Sequence, residues 1–154
     1  MKKKIISFLI LLFLFSCGYE PKYSLKNRAD YDFTISKLSF IGDRQVNLKI
    51  KQRLTNYTSV EKEKSFLLKI NSISEKIIIA KNSSGDATNF KNTITINVEV
   101  FMDNQPKNKF LIIENFNYNN NSNTFELKRY ENEIKNNLTE AATDKIIFKL
   151  SNIQ

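Results

Sequence analysis

Between Phe90 and Met102 the chain changes character at almost every step. Phe90, Ile94, Ile96, Val98, Val100 and Met102 are apolar, and the residues between them are mostly polar. A period of two puts successive side chains on opposite faces of an extended backbone, so this stretch predicts a strand with one face buried. Such a strand cannot stand alone, because its main chain needs neighbours and its apolar face needs a covering layer. The flanking sequence supplies both neighbours. Ser65 to Lys81 carries Phe66, Leu68 and Ile70, and later Ile77 and Ile79, and predicts a long strand or a strand bent near residues 72–75. The cluster Asn82-Ser83-Ser84-Gly85-Asp86 turns the chain back. After Met102, a turn over Asp103 to Asn108 leads to Phe110, Ile112, Glu114, Phe116 and Tyr118, a further strand. Three consecutive strands joined this way predict an antiparallel meander.

The covering layer is visible on either side of the meander. Asp32 to Ile41 is rich in β-formers, but Phe33 and Ile35 fall on one face and Leu38 and Phe40 on the other, which predicts a strand with a bulge near Ser36-Lys37. Behind Gly42-Asp43, Val46, Ile50 and Leu54 recur every four residues, an amphipathic helix ending near Asn56. Its Arg44, Lys49, Lys51 and Arg53 form either a solvated face or a surface for an anionic partner. Beyond the polar run 119–123, with Asn123 or Thr124 as cap, Phe125, Leu127, Tyr130, Ile134, Leu138, Ala141, Ala142, Ile146 and Leu150 keep helical spacing over about seven turns. These aromatics read as core. The order strand, helix, three strands, long helix predicts an α+β fold, a two-layer sandwich of a four-stranded mixed sheet with two helices on one face.

Composition narrows what such a domain can do. The chain of 154 residues has no histidine, no tryptophan and a single cysteine, so histidine-dependent triads, zinc centres and intrachain disulfides are not expected. Three glycines leave no phosphate-cradling loop. The expectation is a protein that is not an enzyme and carries no metal or dissociable cofactor. Basic residues are spread along the chain rather than gathered with stacking aromatics, which argues against nucleic acid.

The first residues set the compartment. Lys2, Lys3 and Lys4 precede an apolar or hydroxyl run from Ile5 to Phe15. Eleven helical residues reach roughly 16 Å, about half a bilayer core, so the run predicts a signal peptide over residues 1–16 rather than a membrane span. It ends in Leu14-Phe15-Ser16-Cys17-Gly18, which resembles the lipobox of bacterial lipoproteins, with Phe15 bulkier than is usual at its position. The resemblance implies that Cys17 is the lipidation site, carrying covalent diacylglycerol and an N-acyl chain, and two or three chains anchor stably where one does not. By the same resemblance Gly18, in place of Asp, points to the outer membrane. Removing the leader lowers the formal charge from +8 to +5, since residues 1–16 hold three lysines and no acid. The expected organisation is therefore a signal peptide (1–16), a lipidated tether (17–31) and one domain (32–154).

The mature start, Cys17-Gly18-Tyr19-Glu20-Pro21-Lys22-Tyr23, the element order and the closing helix together resemble the LptE (RlpB) family of lipopolysaccharide-assembly lipoproteins over nearly the whole mature chain. That resemblance implies a binding role: a lipid-anchored outer-membrane protein seated in the lumen of an LptD-type β-barrel, helping it fold and helping lipopolysaccharide reach the outer leaflet. It also implies that basic residues near the turn between the second and third strands and near the start of the last helix meet lipopolysaccharide, which here are Lys81, Lys128 and Arg129. The alternative is a generic lipid-anchored periplasmic binding or scaffold protein without a barrel.

Overall fold

In the computed structural model, which describes residues 31–59 and 61–153, four strands pair in the order β1-β2-β3-β4: Phe33–Gly42, Lys64–Lys81, Ala87–Met102 and Gln105–Asn119. The leader, Cys17 and all but the last residue of the tether lie outside the described residues. Asp32–Gln154 forms one compact unit. Between β1 and β2 runs α1, Arg44–Leu54, followed by a single 3-10 turn at Thr55–Tyr57, and after β4 comes α2, Thr124–Ser151. The α1 crossover returns the chain to its starting end, so β1 and β2 pair side by side and parallel, while β2-β3 and β3-β4 are antiparallel hairpins. The α+β sandwich with a mixed sheet and two helices is thus the observed fold.

The bulge in β1 explains its broken alternation. The register with β2 slips between Ile35 and Lys37, so that Ile35 pairs with Phe66, Leu68 with Leu38, and Ile70 with Phe40. One extra residue moves Leu38 and Phe40 back onto the face that Phe33 and Ile35 occupy. At the far end of β1, Gly42 has a φ of +96°, and a Cβ there would lie 1.9 Å from the Ser72 carbonyl oxygen. Only glycine permits this approach, and it lets the Asp43 N–H donate to Ser72 O at 2.9 Å.

Asp43 then caps α1, its Oδ1 accepting from the Val46 N–H at 3.0 Å. Val46, Ile50 and Leu54 are fully buried, as their spacing predicts, each burial worth roughly 1.5–3 kcal/mol. Of the basic residues on this helix, Lys49 meets Glu140 at 2.7 Å and Arg53 pairs with Asp144 on α2. The anionic partner of Lys49 and Arg53 is the other helix. Asn123 caps α2, its Oδ1 accepting from the Phe125 and Glu126 N–H groups. Thr139 and Thr143 are buried in its sheet-facing stripe, each hydroxyl donating to a carbonyl one turn back.

Two expectations need correction. The β3-β4 turn is not six residues but two, Asp103 and Asn104, both at positive φ (52° and 62°). Asp and Asn tolerate that conformation, which suits a tight hairpin, and residues 105–109 extend β4. Of the two readings of β2, a long strand and a strand bent over residues 72–75, the long strand is the one formed, its pairing with β3 unbroken from Leu67 to Ile78. On α2, Phe125 is 75% exposed and Tyr130 43% exposed, and Ala141 also faces solvent, so before Ile134 the helical stripe is only partly buried, at Leu127. The reason is length: α2 begins beyond the point where the first helix and strand offer anything to pack against.

Candidate functional site

β1 and α1 end where β2 is half complete. The last β1 pair is Gly42 with Ser72, and α1 starts beside it and runs back. Beyond Ser72 the sheet therefore has three strands, and only the first turns of α2 cover it. At this distal end Ile77, Ile78 and Ile79 are 52%, 50% and 44% exposed. Ile78 pairs with Phe90 on the helix-covered face and Ile77 with Lys91 on the open face, so the projecting hairpin shows apolar surface on both sides.

The helix-covered side of this end holds a small separate core, Phe90, Tyr118 and Ile134, with Ala87, Leu127 and Leu138 against it. A polar network borders it. Lys76 Nζ is 2.5 Å from Glu131 Oε1 and 3.9 Å from the centre of the Phe90 ring, while the Tyr118 hydroxyl donates to the same Glu131 oxygen at 2.9 Å. Burial, and then the hydrogen bond to the Glu131 carboxylate, hold the Tyr118 hydroxyl far above its ordinary value of 10.0. Nearby, Asn92 interrupts the apolar face of β3, and its Oδ1 is buried without a hydrogen bond among the described residues. On β4, Glu114 Oε1 is buried as well; Lys145 Nζ lies 2.5 Å away, an ion pair outside hydrogen-bond geometry.

The residues singled out from sequence fall unequally on this end. Cys17 lies outside the described residues. Lys81 closes β2, paired in register with Ala87, whose carbonyl accepts from Asn120 Nδ2 at 2.8 Å in the loop leading to α2. Lys128 and Arg129 are exposed in the first turns of α2. The three cations share one end of the fold, and each lacks a side-chain partner among the described residues. Arg129 borders an open groove between the end of β4 and α2. The Lys76, Glu131 and Tyr118 network escaped the sequence reading because its members lie on three elements, Lys76 and Glu131 being 55 positions apart. Asn92 did leave a mark, as the missing apolar step between Phe90 and Ile94.

Among the described residues no helix is long and apolar enough to cross a membrane, and no group of His, Cys, Asp or Glu is arranged to hold a metal ion. No protein-family model matches the chain, and no curated protein matches it. Solved structures do. The rare lipoprotein B of Shewanella oneidensis superimposes with a TM-score of 0.59 at 13% identity, over 75% of this chain and 93% of that one. A minor lipoprotein of Acinetobacter baumannii gives 0.56 at 12% identity, over 79% and 91%. Lipoprotein B of Nitrosomonas europaea gives 0.55 at 15% identity, over 83% and 90%. At these identities the likeness is one of fold.

Proposed function

We propose that this chain is an outer-membrane lipoprotein of the LptE type, anchored through Cys17, that occupies the lumen of an LptD-type β-barrel and assists the delivery of lipopolysaccharide to the outer leaflet. The observation that carries the reading is the fold shared with solved lipoproteins, two of them named lipoprotein B, over 90% or more of their chains. The lipobox-like stretch ending at Cys17 supports the anchor independently. The role is binding rather than turnover.

The distal hairpin fits a partner that surrounds it. Apolar side chains exposed on both faces of one projecting ribbon suit a partner that contacts it from both sides. Lys81, Lys128 and Arg129, which have no side-chain partner among the described residues, are placed to pair with the phosphates and carboxylates of lipopolysaccharide.

The test is affinity purification of the tagged lipoprotein from mildly solubilised membranes, followed by mass spectrometry after a stringent wash. A roughly stoichiometric large outer-membrane barrel is expected, and Ile78→Ser with Ile79→Ser should release it. Recovery of the lipoprotein alone would leave a lipid-anchored scaffold without a barrel. Cys17→Ser should leave an uncleaved or mislocalised precursor; normal processing and membrane attachment of that variant would refute the anchor.

A further inference from the structure

The face of the sheet turned away from the helices is not a plain polar surface. Its residues stand in rows across the strands: Lys37-Leu67-Phe101, Ser39-Lys69-Glu99-Lys109, Ile41-Asn71-Asn97-Leu111 and Ile73-Thr95-Ile113. Ile41 is 71% exposed, and Ile73, Leu111 and Ile113 are about half exposed. An antiparallel sheet that gives one face to water ordinarily keeps that face polar, and here four large aliphatic side chains stand on it.

The charge on the same face is one-sided. Lys37 has no side-chain partner among the described residues. Lys69 Nζ lies 4.6 Å from the centre of the Phe101 ring, and Lys109 meets Glu99 at 2.9 Å. In the proximal half, where β1 is present, three lysines thus project from the open face beside one carboxylate. A depression of about 430 Å³ lies between Ser39, Ile41, Lys69, Asn71, Asn97 and Glu99. The side chains of Ser39, Asn71 and Asn97 have no hydrogen bond among the described residues, which leaves a hydroxyl and two carboxamides to bond headgroup oxygens beside the Lys69 ammonium.

Lysines set around aliphatic side chains are the chemistry of an interfacial surface, with cations on anionic headgroups and apolar groups at the acyl boundary. A second copy of this chain fits poorly, because two such faces would set their lysines against each other. The lipid anchor points the same way. β1 opens at Phe33 in this half, and residues 17–30 reach at most about 50 Å when fully extended. Lipid on Cys17 would therefore keep the domain close to a bilayer and hold headgroups at a high effective concentration around it. We infer that the proximal half of the open sheet face docks on an anionic phospholipid surface. The inference rests on the Cys17 anchor proposed above, and it gives the two ends of the sheet different partners, the bilayer for the proximal face and the barrel for the distal hairpin.

The full-length lipidated protein would be inserted from detergent into preformed vesicles of phosphatidylcholine, alone or with about one third phosphatidylglycerol. Its lysines would then be acetylated with a water-soluble ester and read by mass spectrometry. Labelling of Lys37, Lys69 and Lys109 is expected to fall about threefold or more on the phosphatidylglycerol vesicles and to recover in about 0.5 M salt, while Lys51 on α1 and Lys128 on α2 stay unchanged. Ile41→Ser with Leu111→Ser, both at exposed positions, should reverse the protection and leave the unfolding midpoint as it was. Equal labelling on both vesicles, loss of labelling at Lys51 and Lys128 alike, or protection indifferent to the double substitution overturns the inference and leaves the anchor standing. A chain that does not stay with either vesicle overturns the anchor and this inference together. Protection of the three lysines with no barrel recovered from native membranes sinks the barrel reading alone.

Discussion

The two halves of β2 carry the same kind of sequence and meet opposite fates. In the proximal half, Phe66, Leu68 and Ile70 lie under both helices and are fully buried, whereas in the distal half Ile77, Ile78 and Ile79 are about half exposed. Ile70 and Ile78 make the contrast sharp, since both lie on the helix-covered face of one strand and are paired with apolar residues of β3, Val98 and Phe90. The difference comes from what stands opposite. The proximal half is closed by α1, β1 and the last turns of α2; the distal half has only the beginning of α2 above it and, among the described residues, no strand on the β1 side of β2. The proximal half supplies stability, and the distal half is left with apolar surface exposed.

The largest effect should come from truncating the two isoleucines separately. Ile70→Ala is expected to cost about 2–5 kcal/mol, as core truncations do, and Ile78→Ala about 1 kcal/mol or less, both read from urea unfolding midpoints at constant slope. Equal costs would break the comparison and make Ile78 a full member of the small distal core.

Next comes the junction where β1 stops. Gly42→Ala would force a side chain into the Ser72 carbonyl at positive φ, a loss of about 2–3 kcal/mol in thermal or denaturant unfolding. A neutral outcome would mean that the end of β1 can shift, and that the boundary between the halves is soft.

The same junction should give the proximal half an acid limit. Burial raises the Asp43 carboxyl, but the hydrogen bond from Lys135, the Val46 N–H and the Lys135 charge outweigh it and hold the group below its ordinary value of 3.8. The hydrogen bond from Lys49 does the same for Glu140. A folded-state value below the unfolded one stabilises the fold above the ordinary carboxylate range, and that contribution is lost as pH falls through the lowered folded value. Lys135→Ala should flatten the acid limb of the stability profile, by about 1 kcal/mol at neutral pH; an unchanged limb would remove the Asp43-Lys135 pair from the account.

The smallest effect belongs to the distal half and has the opposite sign. Tyr118 is held protonated well above 10.0, so its contribution persists below that value and is lost as pH rises above it, where the unfolded chain releases the proton first. Tyr118→Phe should reduce the alkaline decline while leaving acid behaviour as it was, measured by unfolding midpoints across the alkaline range. If the decline persisted undiminished, Tyr118 would not be its source.

How much of this was legible beforehand follows the range of the interactions. The strand and helix periods of Val46 to Leu54, Ile94 to Val100 and Ile134 to Leu150 are local, and so are the Asn123 cap and the bulge near Ser36; all could be read residue by residue. The exposure of Phe125 and Tyr130 could not. They keep the helical spacing of buried residues, and only the point at which α1 and β1 end leaves them uncovered. The same holds for Lys49 and Arg53, whose acidic partners lie on a helix roughly ninety positions away in the chain, and for the groove, which exists because the end of β4 and the start of α2 are brought side by side.

Alternation, capping and turn chemistry, together with the lysines, apolar run and Cys17 at the start, were enough to determine the element order, the mixed two-layer sheet and the expectation of an exported, lipid-anchored chain. Which apolar residues became core, which cations found partners, and where the surface was left open were decided only in three dimensions. The physical reason is that periodicity says which side of an element prefers burial, while burial itself requires another element to arrive, and the lengths of β1 and α1 fix how far that cover extends.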